Sequence, residues 1–128
     1  MTTATLFGLA LAPLYAAIAQ VESDRGATSA NVYQIRKIYV DDVNRIRHKI
    51  DPRYIPFNHA ETVCPKTAEL MMFVYWKYWG IHYQIKTGKP VTYEVLARIH
   101  NGGPLGWKKP ETLAYWQKVK AIMEGGAK

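Results

Sequence analysis

A single cysteine, Cys64, in a chain of 128 residues is the feature that most constrains the fold. One cysteine cannot form an intramolecular disulfide, and the sequence has no Cys/His cluster with the spacing of a zinc site. A chain of this length can bury one hydrophobic core that is large enough to stabilise one domain. We therefore expect residues 1–128 to form a single domain that is stabilised by side-chain packing alone, with no metal or other cofactor.

Basic residues outnumber acidic residues, and the excess lies downstream. The chain has 17 Lys and Arg against 10 Asp and Glu, which gives a net charge of +7. Residues 1–30 carry −1, residues 31–66 carry +3 and residues 67–128 carry +5. A positive charge of this size indicates an anionic partner, such as nucleic acid, a membrane surface or an anionic cell-wall polymer. The basic residues are not arranged as a recognition helix, so we expect no nucleic-acid partner.

The first 20 residues are almost all apolar or small. A signal peptide needs a basic segment near its start, but the first basic residue is Arg25. A membrane span needs about 20 apolar residues, and Pro13 and the early threonines weaken that interpretation. We therefore predict a buried helix in this region rather than a signal peptide, and no membrane span.

The hydrophobic periodicity downstream is mostly that of amphipathic helices. The predicted helices cover residues 13–22 with Gly26 as the stop, residues 36–50, residues 67–84, residues 93–100 with Thr92 as the cap, and a last helix from residue 110. Residues 58–61 have the form of a capping box. The composition of residues 32–35 (Val-Tyr-Gln-Ile) indicates a short strand or turn. The sequence therefore predicts a mainly α domain with at most a short strand or hairpin lining a cleft.

Glu22 is the strongest candidate for chemistry. It follows Val21 and lies four residues after Ile18, at the end of a predicted helix with almost no other charge. Apolar surroundings and the negative potential of a helix C-terminus both favour the protonated carboxyl group. A protonated carboxyl is what a glycosidase needs in order to protonate a leaving oxygen. The alternative is a helix-end carboxylate that pairs with Arg25 or faces water.

A glycosidase usually has a second carboxylate near the first. Asp24 is two residues after Glu22, so a continuing helix would point it elsewhere. Asp41 has the spacing of an exposed ion pair with Arg45. Asp42 lies at the edge of the apolar stripe of its helix and is therefore our candidate for the second catalytic residue. The alternative role for Asp42 is that of a structural acceptor for a buried amide or an arginine.

Aromatic and amide side chains supply candidates for binding a sugar. Tyr33, Gln34 and Trp107 can stack on sugar rings or form hydrogen bonds to them. Trp107 follows a glycine-rich loop and precedes two lysines, so we place it at the rim of a cleft. The other tryptophans are expected in the core: Trp76, Trp79 and Trp116.

Two further residues are candidates for other chemistries. His100 ends a predicted helix beside an Asn-Gly-Gly turn but has no second residue at the spacing of a metal ligand. Cys64 precedes a proline and has no nearby His–acid pair, so we expect it to be a small buried residue rather than a nucleophile. We therefore predict no metal site and no cysteine nucleophile.

Several short segments and one longer motif resemble a known family. Residues 21–23 (Val-Glu-Ser), 33–35 (Tyr-Gln-Ile) and 39–42 (Tyr-Val-Asp-Asp) are similar to the first half of the invertebrate-type, destabilase-like lysozymes. Residues 97–106 (Ala-Arg-Ile-His-Asn-Gly-Gly-Pro-Leu-Gly), together with Thr112 and the pair Tyr115-Trp116, resemble that family's more specific motif. The similar segments span about residues 13–46 and 97–122.

The resemblance implies a lysozyme-like, α-rich fold and a glycosidase with Glu22 as the general acid. Its substrate would be the β-1,4 linkage between N-acetylmuramic acid and N-acetylglucosamine in peptidoglycan. The expected substrate-binding residues are Ser29, Asn31, Tyr33, Gln34, His100, Asn101, Gly102 and Trp107. Two alternatives stay open: a lytic transglycosylase that uses the same glutamate, and a catalytically silent module that binds cell walls or forms part of a virion.

Two departures from the family pattern bear on these expectations. The family is cysteine-rich and secreted, whereas this chain has Cys64 alone, and Trp107 stands where the family has a cysteine. We therefore expect a bacterial or bacteriophage relative that is made in a reducing cytoplasm and acts at the cell wall or periplasm. The family's second catalytic aspartate precedes the Tyr-Gln-Ile segment, but no acid in residues 24–31 aligns with it. Glu22 carries over from the family, and the second carboxylate does not.

Overall fold

The computed structural model describes residues 4–24 and 30–125 and confirms the prediction of a mainly α protein. Two short strands come first, β1 (Thr5–Leu6) and β2 (Leu9–Ala10). Five helices follow: α1 (Ala12–Asp24), α2 (Lys37–Ile50), α3 (Pro65–Thr87), α4 (Tyr93–Gly102) and α5 (Glu111–Met123). Two 3₁₀ turns, His59–Val63 and Gly106–Lys108, precede α3 and α5.

The prediction of a helix within residues 1–20 is wrong for residues 5–10, which lie before α1. Residues 5–10 form an antiparallel hairpin instead. Its two turn residues, Phe7 and Gly8, have φ angles of 52° and 76°, as in the tight turns whose twist matches that of paired strands. Helix α1 begins only at Ala12. An apolar run alone does not distinguish a short hairpin from a buried helix.

Of the two alternatives predicted for residues 32–35, the turn is confirmed and the strand is wrong, because these residues form a turn and irregular backbone. The side chain of Asn31 accepts a hydrogen bond from the Ile35 N–H at 3.0 Å and donates one to the Ile35 carbonyl at 2.9 Å. These bonds satisfy both backbone groups that a strand partner would otherwise pair. The segment therefore closes on itself and leads directly into α2.

The downstream helices lie where the sequence predicts them. Helix α4 begins after Thr92, whose hydroxyl accepts a backbone N–H of the first turn at 3.3 Å. The capping box of Asn58 and Glu61 is present. Helix α3 is longer than predicted and ends at Gly88, whose φ of 70° is typical of a helix C-cap. The predicted stop of α1, Gly26, lies outside the described residues.

Helix α3 packs against α2 and α4, while α1 packs against α4 and α5. Trp76 of α3 is fully buried, as predicted, and stacks on Tyr15 of α1 with ring centroids 5.7 Å apart. Trp79 and Trp116 are partly buried against the same core. Other fully buried side chains are Leu11, Leu14, Ile18, Ile35, Met71, Met72, Leu96 and Ile99. None of the described helices is long and apolar enough to cross a membrane.

A polar network fixes the segment between α4 and α5. Arg98 donates from Nε to the Thr112 hydroxyl at 2.8 Å and from Nη2 to the Lys109 carbonyl at 2.9 Å. The Thr112 hydroxyl, which is fully buried, donates to the Gly106 carbonyl at 2.6 Å. A side-chain carbon on Gly106 would collide with the carbonyl oxygen of Arg98. This close approach of two backbone segments therefore requires glycine at position 106.

We predict that Gly106→Ala lowers the free energy of unfolding by about 2–3 kcal/mol, because the added carbon forces two backbone segments apart. Urea unfolding followed by circular dichroism measures the change. The control is Gly88→Ala, where the new carbon would have no neighbour within 4 Å. In that variant the free energy of unfolding should fall by only about 1 kcal/mol, because alanine adopts a positive φ less readily than glycine does. Equal losses in the two variants would contradict a steric role for Gly106.

Candidate active site

A cleft of about 550 Å³ lies among the end of α1, the segment before α2, and helices α2, α3 and α4. Its lining residues are Glu22, Gln34, Arg36, Ile38, Tyr39, Asp42, Arg45, Tyr75, His100, Asn101, Gly102, Gly103 and Pro104. The volume falls in the range of small-molecule binding sites. Both carboxylates that the sequence singles out as candidate catalytic groups line this cleft.

Glu22 lies in the last turn of α1 and is only 6% exposed. Its Oε2 atom accepts a hydrogen bond from the hydroxyl of Tyr115 on α5 at 2.9 Å, and Tyr115 is itself buried. The preceding apolar residues of the same helix, Ile18 and Val21, are buried in the core, as their spacing predicts. Glu22 therefore lies where the apolar core meets the cleft.

Asp42 lies on α2 and is also 6% exposed. Both of its carboxylate oxygens have partners: Arg45 forms an ion pair with Oδ1, and Trp79 Nε1 donates to Oδ2 at 2.8 Å. The ion pair predicted between Asp41 and Arg45 is therefore wrong, because Arg45 pairs with Asp42. Asp41 instead pairs with the exposed Lys37 at 3.0 Å. Asp42 thus lines the cleft and is held there by an arginine and an indole.

His100 is buried and connects three segments. Its Nε2 lies 2.8 Å from the carbonyl oxygen of Tyr33, and its Nδ1 lies 3.1 Å from the hydroxyl of Tyr39. A carbonyl can only accept, so Nε2 carries the proton and Nδ1 accepts from Tyr39. The Tyr39 ring stacks on Tyr75 with centroids 3.9 Å apart. Burial lowers the pKa of His100 to about 4, so the imidazole is neutral at pH 7.

Four of the expected substrate-binding residues line the cleft: Gln34, His100, Asn101 and Gly102. Gln34 is exposed and has a φ of 52°, a left-handed conformation that is uncommon outside glycine. Ser29 lies outside the described residues.

Three other expected substrate-binding residues are not among those that line the cleft. The hydroxyl of the buried Tyr33 donates to the carboxylate of Glu69 at 2.6 Å. Asn31 closes the turn before α2, and the ring of Trp107 packs edge-to-face against Tyr83 with centroids 5.0 Å apart. In the structure these three side chains hold the loops that carry the cleft residues.

Sequence reasoning missed two groups of residues. Tyr115 and Trp79 hold the two candidate carboxylates, yet they come from helices distant in sequence, and local periodicity carries no such signal. The one available signal for Tyr115 was its place in the family motif. The other missed residues form part of the cleft wall: Arg36, Ile38, Tyr39, Arg45, Tyr75, Gly103 and Pro104.

The described residues contain no cluster of three or more His, Cys, Asp or Glu side chains that could hold a metal ion. Cys64 is a free cysteine and is exposed, so the prediction that it is buried is wrong, and it is not among the described residues that line the cleft. The polar side chains of the described lining are carboxyl, amide, imidazole, phenol and guanidinium groups.

The buried imidazole predicts a pH-dependent stability. The pKa of His100 is about 4 in the folded protein, against about 6.5 in the unfolded chain. Between these two pH values the unfolded state binds more protons than the folded state. The contribution of His100 to the free energy of unfolding is therefore fully present above about pH 6.5, and it falls by on the order of 3 kcal/mol as the pH is lowered toward 4. We expect His100→Gln to flatten this part of the profile in urea unfolding between about pH 7 and pH 4.5. A slope that persists in this variant, or that is lost in the exposed control His48→Gln, would contradict the assignment.

The chain is similar to lysozymes of bivalve molluscs. It is 32% identical to a lysozyme of Ostrea edulis over 97 residues, which are 76% of this chain and 62% of that protein. It is 31% identical to a lysozyme of Meretrix lusoria over 101 residues, which are 77% of this chain and 71% of that protein. No protein-family profile matches the chain.

Two shorter segments are more similar still. A segment of 33 residues is 58% identical to a lysozyme of Magallana gigas, and one of 29 residues is 55% identical to invertebrate-type lysozyme 6 of Caenorhabditis elegans. These matches cover 24% and 21% of the respective relatives, so the chain spans about a quarter of the Magallana protein and about three fifths of the Ostrea protein. The match to the Meretrix protein extends over more than two thirds of that relative. From these similarities, the chain belongs to the invertebrate-type lysozymes.

Proposed function

We propose that the chain is a peptidoglycan glycosidase that cleaves the β-1,4 linkage between N-acetylmuramic acid and N-acetylglucosamine, with Glu22 as the general acid. The observation that carries this proposal is the position of Glu22, which is 6% exposed, lines the cleft and is held by Tyr115. The lysozymes that match most of the chain support the same reaction. The glycan strands of the cell wall would be its partner.

The surroundings of Glu22 suit the role of an acid. A general acid must hold its proton until the leaving oxygen takes it. Burial beside the apolar residues Ile18 and Val21 and the negative end of the α1 dipole both favour the protonated carboxyl group. The Tyr115 hydroxyl restricts the carboxyl to one orientation, because it donates to one of the two oxygens. A fixed orientation lowers the cost of aligning the proton with the glycosidic oxygen.

In the proposed reaction Glu22 donates its proton to the glycosidic oxygen, and the bond between that oxygen and C1 of the muramic acid residue breaks. Water then adds to C1 and returns a proton to Glu22, which restores the acid. The transition state resembles an oxocarbenium ion, so positive charge develops on the sugar ring. A fixed carboxylate in the same cleft stabilises that charge.

We assign this electrostatic role to Asp42. Arg45 and Trp79 each bind one of its two oxygens, so both oxygens are engaged before a substrate enters. A carboxylate held in this way is a poor nucleophile but a well-positioned negative charge. A lytic transglycosylase also needs no nucleophilic carboxylate. The arrangement of Asp42 is therefore compatible with both reactions, and the chemical nature of the product distinguishes them.

Analysis of the digested peptidoglycan separates the three possible functions. New reducing ends identify a hydrolase, whereas anhydromuramyl ends identify a lytic transglycosylase. A protein that binds cell walls but produces neither end is a silent wall-binding module, and that result would overturn the proposed function.

We predict that Glu22→Gln reduces the rate of turbidity loss of bacterial cell walls by about 10³-fold, because the amide has no proton to give. The variant keeps the shape of the side chain, so its circular dichroism should match that of the wild type. The matched control is Glu111→Gln, which makes the same charge change at an exposed position in the first turn of α5. A fully active Glu22→Gln variant would exclude the mechanism.

We predict that Asp42→Asn lowers kcat by about 10- to 100-fold, less than Glu22→Gln, because it removes the stabilising charge and not the acid. It should also lower the melting temperature, since Arg45 loses its ion-pair partner. Trp79→Phe keeps the charge but removes one hydrogen bond, so its loss of kcat should be smaller. The neighbouring Asp41→Asn, at an exposed position, serves as the control and should leave both quantities near their wild-type values. A lower melting temperature with unchanged kcat in Asp42→Asn would show that Asp42 is only a structural acceptor.

A further inference from the structure

One cation in the cleft has no carboxylate partner in the described structure. Among the residues that the structure describes, four charged ones line the cleft: Glu22, Arg36, Asp42 and Arg45. Asp42 and Arg45 form an ion pair with each other, and Glu22 accepts a hydrogen bond from Tyr115. Among the side chains that the structure describes, no carboxylate forms an ion pair with Arg36.

The net charge of the described cleft lining also points to Arg36. When Glu22 holds its proton, as the proposed function requires, the described lining carries two arginines against one aspartate, a formal charge of +1. Arg45 is the arginine that pairs with Asp42, so the arginine without a described carboxylate partner is Arg36. A guanidinium group binds carboxylates through two parallel hydrogen bonds. The cleft is therefore complementary to a ligand with a carboxylate near Arg36.

The position of Arg36 is fixed by the backbone on both sides. It directly precedes α2 and lies between Gln34 and Ile38, both of which also line the cleft and are exposed, Ile38 to 77%. The two hydrogen bonds between Asn31 and Ile35 hold the turn that immediately precedes it. Residues 34, 36 and 38 thus present an amide, a cation and an apolar side chain along one edge of the cleft. Because the backbone that carries these side chains is already held, ligand binding does not have to order that backbone.

We propose that Arg36 binds a carboxylate of the glycan substrate, flanked by contacts from Gln34 and Ile38. This inference rests on the proposed function and names its substrate class: β-1,4-linked glycan strands that bear carboxylates, in preference to neutral strands with the same linkage. In intact peptidoglycan the carboxylate belongs to the stem peptide. In strands freed of peptide it belongs to the lactyl group of muramic acid.

The test measures binding of three soluble ligands by calorimetry in the Glu22→Gln background, which prevents cleavage. The ligands are peptidoglycan oligomers with stem peptides, the same oligomers freed of peptide by an amidase, and chitooligosaccharides, which carry no carboxylate. Adding Arg36→Gln should weaken binding of a carboxylate-bearing ligand about tenfold and binding of chitooligosaccharides less than about threefold. The peptidoglycan ligand that loses affinity identifies the source of the carboxylate.

Two control variants separate a specific contact from a general effect of charge. Arg53→Gln removes the same charge at a residue that is 94% exposed, pairs with Asp51 and does not line the cleft, so it should leave all three affinities nearly unchanged. Arg36→Lys keeps the charge but loses the paired hydrogen bonds, and its affinity should lie between those of the wild type and Arg36→Gln. The loss caused by Arg36→Gln should also shrink as salt screens the ion pair.

The failure of this inference is distinguishable from that of the proposed function. Equal losses for all three ligands, or no loss for any, would overturn the role of Arg36. The proposed function stands in that case as long as the wild-type protein releases new reducing ends from peptidoglycan. A wild-type protein that releases no glycan products overturns the proposed function instead, whatever the binding data show.

Discussion

The architecture of the cleft depends on the hydrogen bonds that the buried His100 makes to Tyr33 and Tyr39. Tyr33 lies in the loop that carries Gln34, Tyr39 lies on the helix that carries Asp42, and His100 lies in the last turn of α4. One imidazole therefore holds three walls of the cleft in a fixed relation. The ring meets a carbonyl on one side and a hydroxyl on the other, and in its neutral form it serves both with the proton on Nε2. Burial keeps the imidazole in that neutral form at pH 7.

The sequence predicts this fold wherever a local signal decides the local structure. Thr92 caps α4, and Asn58 and Glu61 form the expected capping box, because these bonds join residues three positions apart. The two failures have different causes. The N-terminal hairpin turns at Phe7-Gly8, which lacks the asparagine or aspartate that usually marks such a turn. The segment at 32–35 has strand-like composition, but the side chain of Asn31 binds the backbone groups that a strand would need.

The sequence identifies those residues of the candidate site that differ from their neighbours in the chain or belong to the family motif. Glu22 stands out as a carboxyl group near the end of an otherwise apolar helix, and Asn101 and Gly102 at the end of α4 stand out through the family motif. The partners that hold the carboxylates do not stand out: Tyr115 is 93 residues from Glu22, and Trp79 is 37 residues from Asp42. Such contacts are set by how the helices pack, and helix packing follows from the whole core rather than from any local pattern.

The left-handed backbone of Gln34 has a consequence for the balance between stability and ligand affinity. A residue with a side chain pays about 1 kcal/mol to adopt a φ of 52°, whereas glycine adopts it freely. Replacing Gln34 by glycine would relax this strain, but it would also remove the amide from the edge of the cleft. The protein therefore holds its cleft in a conformation that its own backbone does not prefer, and the local strain is offset by the packing around Ile35 and the bonds of Asn31. At position 34, glycine would therefore give the more stable protein, whereas glutamine gives the cleft an amide that can bind a ligand.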